Sequence, residues 1–157
     1  MNETDIYIER IVSTYSRMLL RIAYTVLHST ADAEDAVQDV FIKLITKRPH
    51  HTDEEHEKAW LIRVTINTSL NMRKRLERES EPVDENVGKP DEALTDSELL
   101  EVVLSLPPKY GTVTHLYYYE GYSIKEIAAI LLLPSATVGT RLARAREILK
   151  NTLKGEN

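Results

Sequence analysis

The stretch that decides the fold lies near the carboxyl end, at residues 121–149, and reads GYSIKEIAAILLLPSATVGTRLARAREIL. Ser123 and Glu126 have the spacing of an N-terminal capping box, which predicts a short apolar helix directly after Ser123. Pro134 interrupts the pattern, and a longer basic helix is predicted to follow it with Val138 facing inward. Two helices joined by such a tight break form a helix-turn-helix.

The second helix of this motif carries the side chains expected of a DNA-reading helix. Hydroxyl and guanidinium groups suit base edges and phosphates, and an α-helix fits the major groove, which is about 12 Å wide. A three-helix packing unit without a DNA role is the alternative. Generic bundles rarely place small residues at a helix start with arginines behind them, as here at Ser135, Thr137, Thr140, Arg141 and Arg144.

The first half of the chain also reads as helix. Apolar residues recur every three or four positions over three stretches, at about residues 8–26, 33–44 and 57–79. Ser29 and Asp32 predict the start of the second helix. Residues 47–57 are polar and contain Pro49, which predicts a loop. The third helix is expected to turn one apolar side to a core, through Ala59, Ile62, Ile66 and Leu70.

Residues 80–95 show no period and hold prolines among acids, which is typical of a linker. Thr95 and Glu98 predict the start of the next helix, which Pro107 and Pro108 end. The three consecutive tyrosines, residues 117–119, are expected to pack in and around the core. The predicted fold class is therefore all-α, with two small helical domains, residues 1–79 and 96–157, joined by the acidic linker at residues 80–95.

The charge of the chain is segregated along its length. The net charge is -5 and the isoelectric point is near 5.6, values that by themselves disfavour nucleic acid as a partner. Residues 60–76 nevertheless contain four basic residues and no acids, and residues 137–154 contain five basic residues and one acid. A polyanion responds to charge within about 10 Å at 0.1 M salt, so each basic stretch acts locally. Ordinary charged helix faces are the alternative explanation.

Composition excludes several classes of protein. There is no cysteine, so disulfides, thiolate metal sites and a cysteine nucleophile are excluded. No apolar run approaches the roughly 18 residues that span a bilayer, which predicts a cytoplasmic chain without membrane insertion. His50, His51, Asp53 and His56 match no metal-ligand spacing, and nothing orients a nucleophile, so neither a metal, a cofactor nor an enzyme is predicted.

Two helix faces in the first half suggest binding partners. On the second helix Asp32, Asp35 and Asp39 step by three and four residues, with Gln38 beside them, and such repelling charges suit a basic partner surface. A solvated face near a helix N-terminus is the alternative. The third helix combines an aromatic group, amides and cations, which suit opened DNA, although Trp60 has core packing as its alternative. That second set is Trp60, Arg63, Asn67, Asn71, Arg73 and Lys74.

Four motifs in order carry a resemblance to a known family. The stretch DAEDAVQDVF at residues 32–41, AWLIRV at residues 59–64 with Asn67 beyond it, Leu106-Pro107 before Tyr110, and the helix-turn-helix each match. Together they resemble bacterial sigma factors of the sigma-70 family, of the extracytoplasmic-function (ECF) type. Order and spacing agree across about residues 6–153. Each motif alone is weak, but four in the right order around a variable acidic linker are specific.

The resemblance implies a function for each surface. Residues 1–79 would be a region 2-like domain whose acidic face docks on core RNA polymerase and whose third helix reads the −10 element of promoter DNA. Residues 48–57 would be the loop that receives a flipped −10 base. Residues 96–157 would be a region 4-like domain that reads the −35 element, with Lys125 among its contacts. An anti-sigma factor is an expected further partner.

The chain departs from the family pattern at three positions. The family often has a glycine where Leu132 stands, a basic residue where Gly139 stands and an arginine where Gly111 stands. These departures predict fewer phosphate contacts and a shallower salt dependence of −35 binding. A regulator that binds DNA by its helix-turn-helix alone, with residues 1–79 as an interaction module, is the second functional hypothesis; it would footprint DNA without core polymerase.

Overall fold

The computed structural model describes residues 2–47, 53–79, 94–95 and 97–155, and these residues form helices and no strands. Much of the expected −10 loop, residues 48–52, and most of the acidic linker lie outside the described residues. The described helices are α1 (Glu3–Leu27), α2 (Thr30–Lys47), α3 (Glu54–Glu79), α4 (Glu98–Leu104), α5 (Pro108–Tyr118), α6 (Ile124–Leu131) and α7 (Ser135–Leu153).

Helices α1, α2 and α3 pack against one another and form what we call the N-terminal lobe. Their shared core includes Ile11, Leu19, Ala33, Val40 and Leu61, each almost fully buried. The predicted start of α2 is confirmed, because the Ser29 hydroxyl accepts the Asp32 backbone N–H at 3.2 Å. The helical spacing of apolar residues is therefore enough to account for this lobe.

Helix α3 begins earlier than the sequence predicts, at Glu54 instead of Glu57. The Asp53 carboxylate accepts the His56 backbone N–H at 2.8 Å and so caps the first turn, and acidic residues favour a helix N-terminus. Glu57 is itself buried, where the Tyr7 hydroxyl donates to it at 2.9 Å and the Arg10 guanidinium at 3.1 Å. Residues 53–57, which the sequence places in a loop, are thus a capped helix start.

Helices α4 to α7 form what we call the C-terminal lobe. The predicted cap of α4 at Thr95 is wrong, since the side chain that accepts the N–H of Leu100 is Ser97, at 3.1 Å. The predicted capping box at Ser123 and Glu126 is confirmed in both directions. Among the described helices none is by itself long and apolar enough to cross a membrane; α6 and α7 pass that test only as a pair, bent by 111°.

Two surface predictions are corrected by the structure. Leu70 is not in a core but 41% exposed, because it lies at the edge of a groove between the lobes. Of the three tyrosines Tyr117 packs against a buried apolar cluster, as predicted, whereas Tyr118 and Tyr119 are exposed. The Tyr118 hydroxyl accepts from the Arg146 guanidinium at 2.8 Å, which gives that ring a surface role. Periodicity alone does not identify these positions.

The two lobes share an apolar core. Ile22, Ile62 and Ile66 of the N-terminal lobe belong to one cluster with residues of the C-terminal lobe, among them Leu116 and Ile127. The three isoleucines are less than 5% exposed, and uncovering each of them would cost roughly 1.5–3 kcal/mol. Small lobes with limited cores of their own therefore gain stability by docking on each other.

Candidate nucleic-acid and polymerase interface

The predicted acidic face of α2 is a surface feature of the folded lobe. Asp35, Gln38 and Asp39 are exposed and Asp32 is half-buried. The same face continues into two exposed isoleucines, Ile42 and Ile45, of which Ile42 is 57% exposed. These two residues were not predicted to belong to the face, although their spacing from Asp39 and Gln38 places them there. Acids next to exposed apolar groups are suited to binding a basic protein surface.

Helix α3 presents only part of its predicted DNA-binding set to solvent. Asn67, Asn71 and Lys74 are exposed, and the two asparagines lie one helical turn apart. Trp60 is half-buried and packs against the core of the N-terminal lobe. Its position therefore agrees with the alternative in which Trp60 is a core residue and not a DNA contact. The exposed amides can donate to and accept from base edges, and Lys74 adds a cation for a phosphate.

The two arginines of that set bind protein carbonyls in this conformation. Arg63 donates from Nη2 to the Ala129 carbonyl and from Nε to the Ile130 carbonyl, both at 3.2 Å, at the carboxyl end of α6. Arg73 donates from Nη1 to the Val26 carbonyl at 2.7 Å, at the carboxyl end of α1. Both contacts place a positive charge where the helix dipole is negative and where carbonyls lack intrahelical donors.

Helix α7 presents its predicted side chains beside the start of α5. Ser135, Thr140 and Arg144 are exposed, Thr137 and Arg141 are half-buried, and Lys125 is exposed on α6. A groove of about 490 Å³ runs between α7 and the first turn of α5, where Lys109 and Tyr110 line it. These two were missed because they lie outside the helix-turn-helix; the lysine directly after Pro107-Pro108 was the available signal. Cations on two helices around one groove suit a DNA backbone.

The structure explains one of the three departures from the family pattern. Gly111 is buried, and a Cβ there would lie 3.0 Å from the Val103 carbonyl oxygen, so the contact between α4 and α5 requires glycine. Leu132 takes the left-handed conformation that ends α6, with φ 56°. Gly139 lies in the interior of α7 with open space around its Cα, and nothing in the structure explains the glycine.

A polar cluster joins the lobes beside their shared core. The Glu120 carboxylate accepts from Nε2 of the buried His115 at 3.1 Å and lies 3.8 Å from the Lys58 ammonium of α3. Burial alone would raise the pKa of Glu120, but the hydrogen bond from His115 and the charges of His115, Lys58 and Arg21 outweigh it and lower that pKa. Glu120 is therefore held as an anion between the lobes.

Two hydrogen bonds add to this boundary. The Thr25 and Thr112 hydroxyl oxygens are 2.8 Å apart, with both side chains buried. His28 Nε2 donates to the Leu106 carbonyl at 2.9 Å. Burial, reinforced by the charge of Arg73, lowers the pKa of His28 against the opposite effect of its backbone hydrogen bonds. The boundary is thus specific in geometry as well as apolar.

A groove of about 560 Å³ opens between the lobes at the edge of this boundary. Arg63, Asn67 and Arg73 line it from α3, and Lys109 and Arg141 line it from the C-terminal lobe. Residues predicted to bind two different promoter elements therefore meet in one groove.

Two described residues of the predicted histidine-rich loop, Asp53 and His56, lie at the start of α3 and contact each other. His50 and His51 lie outside the described residues. His56 Nδ1 is 2.8 Å from the Asp53 carboxylate, which also accepts the His56 backbone N–H. Asp53 has a lowered pKa for these reasons, its backbone hydrogen bond being the largest. In the described ranges these side chains stabilise the first turn of α3.

Comparison with known families matches both lobes. Residues 11–79 match the family model of sigma-70 region 2, and residues 96–149 match that of sigma-70 region 4. The chain is 30% identical to the ECF RNA polymerase sigma factor SigW of Bacillus subtilis, over 92% of this chain and 87% of SigW. The chain belongs to the ECF RNA polymerase sigma factors. The resemblance inferred from the four motifs is confirmed.

Other relatives agree. This sigma factor is 28% identical to the ECF RNA polymerase sigma-E factor of Escherichia coli, over 80% of this chain and 75% of the relative. The fold matches the sigma factor RpoE of Bartonella quintana, solved with the anti-sigma factor NepR, with a TM-score of 0.71 at 22% identity and coverage of 95% and 98% of the two chains. The all-α prediction is confirmed, and so is the function: the protein acts with core RNA polymerase and promoter DNA in transcription initiation.

Proposed function

We propose that this sigma factor divides promoter-specific initiation among three helices, with α2 binding core RNA polymerase, α3 the −10 element and α7 the −35 element. The observation that supports this division is the segregation of exposed chemistry. Acids with two isoleucines face outward on α2, amides and a lysine on α3, and hydroxyls with arginines on α7. Each surface lies on a rigid helix, so the side chains are held in fixed register.

The α2 surface fits a basic and partly apolar protein surface. Asp35, Gln38 and Asp39 supply the charge and hydrogen bonds that orient a partner, and Ile42 supplies apolar area to bury. Such a combination gives electrostatic steering at the rim and affinity at the centre. We assign this surface to core polymerase because exposed acids beside exposed apolar side chains suit a protein surface rather than a polyanion.

The α3 surface fits opened DNA. Asn67 and Asn71 are exposed one turn apart, so both can hydrogen-bond bases that have left the stack, and Lys74 lies close by for the backbone. A single strand exposes its Watson–Crick edges to such amides, whereas a closed duplex does not. The proposed role of α3 is therefore to hold the melted −10 strand.

The α7 surface fits a duplex. Ser135 and Thr140 are small and exposed near the helix start, so α7 can enter the major groove closely. Arg141, Arg144 and Lys109 surround the adjoining groove and would contact phosphates. We assign the −35 element to this surface.

An anti-sigma factor is a proposed further partner. The related fold of RpoE was solved with the anti-sigma factor NepR, and the exposed surfaces of α2 and α3 offer such a protein the same side chains that the polymerase and DNA would use. We place the protein in the cytoplasm, where core polymerase acts, and we assign it no catalytic step.

Run-off transcription with purified core polymerase tests the assignment of α2 to core polymerase. The template is a promoter selected from a randomised library by polymerase carrying the wild-type chain. The double variant Asp35→Ala/Gln38→Ala is expected to lose at least tenfold in core binding and in run-off product while its circular dichroism spectrum stays unchanged. Glu9→Ala, an exposed acid on α1, is the matched control and should behave as wild type.

The outcomes separate the two functional hypotheses. If the wild-type chain protects DNA from nuclease equally well without core polymerase, it is a regulator and the proposal fails. If the double variant binds core as tightly as wild type, the assignment of α2 is wrong although the family membership stands.

A further inference from the structure

A groove of about 510 Å³ runs between α2 and the carboxyl-terminal half of α3. It is lined from α2 by Lys43 and from α3 by Asn71, Met72 and Arg75. Asn71 is one of the two amides proposed to hold the −10 strand. The groove therefore adjoins the surface of α3 proposed for opened DNA, and it extends that surface to a second helix.

Lys43 is held at this groove by a buried hydroxyl group. Its ammonium donates to the Thr68 hydroxyl oxygen at 2.7 Å, and Thr68 is 7% exposed. Lys43 itself is half-buried, and it has no ion pair in the part of the chain that the structure describes. An ammonium group has three donors, and only one of them is used here. A partly buried cation with free donors and no paired carboxylate favours the binding of an anion.

Arg75 brings a second cation to the same groove. It is exposed, and within the described ranges its guanidinium makes no hydrogen bond or ion pair. Arg73, two residues earlier, donates to the Val26 carbonyl and pairs with Glu77. Arg75 was not among the residues predicted to bind DNA, yet all its donors are available to an anion, whereas those of Arg73 are partly used.

The charge of the groove suits a single negative group. Its lining includes three cations, Lys43, Arg75 and Arg78, and two carboxylates, Asp39 and Glu79. Three cations against two carboxylates leave a net charge of +1, which matches the one negative charge of a phosphodiester. Both carboxylates are exposed, so water and salt screen their repulsion of an anion more than they screen the attraction of the half-buried Lys43.

We propose that this groove receives one phosphodiester of the −10 strand, held by Lys43 and Arg75 while Asn71 binds the neighbouring base. The inference rests on the proposed function of α3 and adds a residue of α2 to the DNA-binding surface. Asn71 and Arg75 are one helical turn apart, about 6 Å along the helix axis, so a single nucleotide can reach both. Met72, which is 7% exposed, gives the deoxyribose an apolar contact. The bound phosphate fixes the register of the strand, and thereby the base that Asn71 meets.

Strands with single neutral phosphates test the proposal. The protein is the chain bound to core polymerase, and the probe is a fluorescent single strand with the −10 sequence of the selected promoter. In a series of such strands each phosphate in turn is replaced by an uncharged methylphosphonate. Arg75→Gln removes a charge without a partner in the described chain, and Lys43→Met keeps the aliphatic stem. Arg17→Gln, at an exposed position on α1, is the matched control.

The expected result is a coupling at one phosphate. With the native strand, Arg75→Gln and Lys43→Met should each weaken binding about three- to tenfold. Each should lower the slope of log affinity against log salt by up to about 0.7, the contribution of one contacted phosphate in a single strand. One methylphosphonate should weaken binding of wild type by a similar factor but have little effect on either variant, because the charge that it removes has already lost its partner. Arg17→Gln should match wild type with every strand.

Two results would overturn the phosphate site. If every methylphosphonate weakens the variants as much as wild type, no phosphate of the strand lies in this groove. If the variants lose affinity for core polymerase as much as for the strand, the groove belongs to the polymerase surface. A third result concerns α3 itself: if wild type binds the −10 strand no better than a strand of scrambled sequence, the proposed function of α3 is wrong, and the phosphate site is wrong with it.

Discussion

Helices α1 and α6 end in the same way, although they belong to different lobes. Each ends on a non-glycine residue in the left-handed conformation, His28 with φ 52° and Leu132 with φ 56°. Each also receives an arginine from α3 on its last carbonyls, Arg73 on α1 and Arg63 on α6. The difference lies in the left-handed residues themselves. The His28 ring is bonded to the Leu106 carbonyl of the other lobe, whereas Leu132 is 77% exposed.

This difference shows what each helix end contributes. A left-handed conformation costs a non-glycine residue about 1–2 kcal/mol. At α1 the His28 hydrogen bond offsets this cost and at the same time fixes the boundary between the lobes. At α6 the leucine side chain adds only exposed apolar area, and the strained turn sets the 111° angle between α6 and α7. The end of α1 is thus stabilised by the His28 side chain, whereas the left-handed residue at the end of α6 only redirects the chain into α7.

The largest expected effect separates the two capping arginines. Arg63→Ala should destabilise the folded chain by about 2 kcal/mol, since it leaves two carbonyls without a charged donor and removes a contact between lobes. Arg73→Ala loses the bond to the Val26 carbonyl and an exposed ion pair with Glu77, both within the N-terminal lobe, and should cost about 1 kcal/mol. Urea denaturation, followed by circular dichroism and by Trp60 fluorescence, measures both variants.

The same experiment tests where each arginine acts. In Arg63→Ala the two signals should separate, because Trp60 reports the N-terminal lobe while circular dichroism reports both lobes. In Arg73→Ala the two transitions should coincide. Coincident transitions in both variants would show that the two helix ends are equivalent.

A smaller effect is expected from His28. His28→Ala keeps the left-handed strain and loses the bond to Leu106, so it should destabilise by about 1.5 kcal/mol. His28→Gly also loses the bond but relieves the strain, and should be about 1 kcal/mol more stable than the alanine variant. Thermal denaturation of the pair measures the difference. If the two variants melt together, His28 carries no backbone strain.

Sequence reasoning succeeds where local chemistry decides the structure. The capping pair Ser123 and Glu126 and the break at Pro134 are local signals, and the helix-turn-helix follows from them. The expected acidic face of α2 is likewise outward in the fold. The predicted start of α4 is wrong because Thr95 and Ser97 are both good capping residues, and it is the Ser97 hydroxyl that accepts the Leu100 N–H.

Sequence reasoning fails where one side chain has two possible partners. Arg63 lies among amides and cations in the sequence, and these neighbours predict that it binds DNA. The carbonyl oxygens that accept its hydrogen bonds, however, are on α6, more than 60 residues away. Leu70 follows the apolar period of α3 but lies at the rim of the groove. The contact between the lobes cannot be recognised from the apolar periodicity of the sequence. The isoleucines that form this contact would fit a core within one lobe equally well. The −10, −35 and polymerase roles of individual residues remain predictions.

Leu132 offers a stabilising change. Leu132→Gly removes the left-handed strain and exposed apolar area together, and should raise the free energy of unfolding by about 1 kcal/mol. Leu132→Ala keeps the strain and should leave stability within about 0.5 kcal/mol of wild type. Equal stabilisation by alanine would assign the effect to the exposed side chain instead of the backbone, and chemical denaturation distinguishes the two.

The smallest effect is a pH dependence confined to the α1 end. Burial next to Arg73 lowers the pKa of His28 in the folded chain, whereas the unfolded chain titrates near 6.5. Above that value both states are neutral. As the pH falls below 6.5 the unfolded chain takes up the proton first, so stability declines until the lower folded pKa is reached and is constant below it.

The variant His28→Gln has no titrating group at this position, while Arg73, Glu120 and His115 stay in place. The stability of wild type relative to His28→Gln, measured by urea denaturation from pH 8 to pH 5, should therefore decrease as the pH falls. The stability of wild type relative to Leu132→Gly should show no such trend, because no titrating group is changed at the end of α6. A stability difference between wild type and His28→Gln that does not change with pH would mean that the His28 ring is as well solvated in the folded chain as in the unfolded chain.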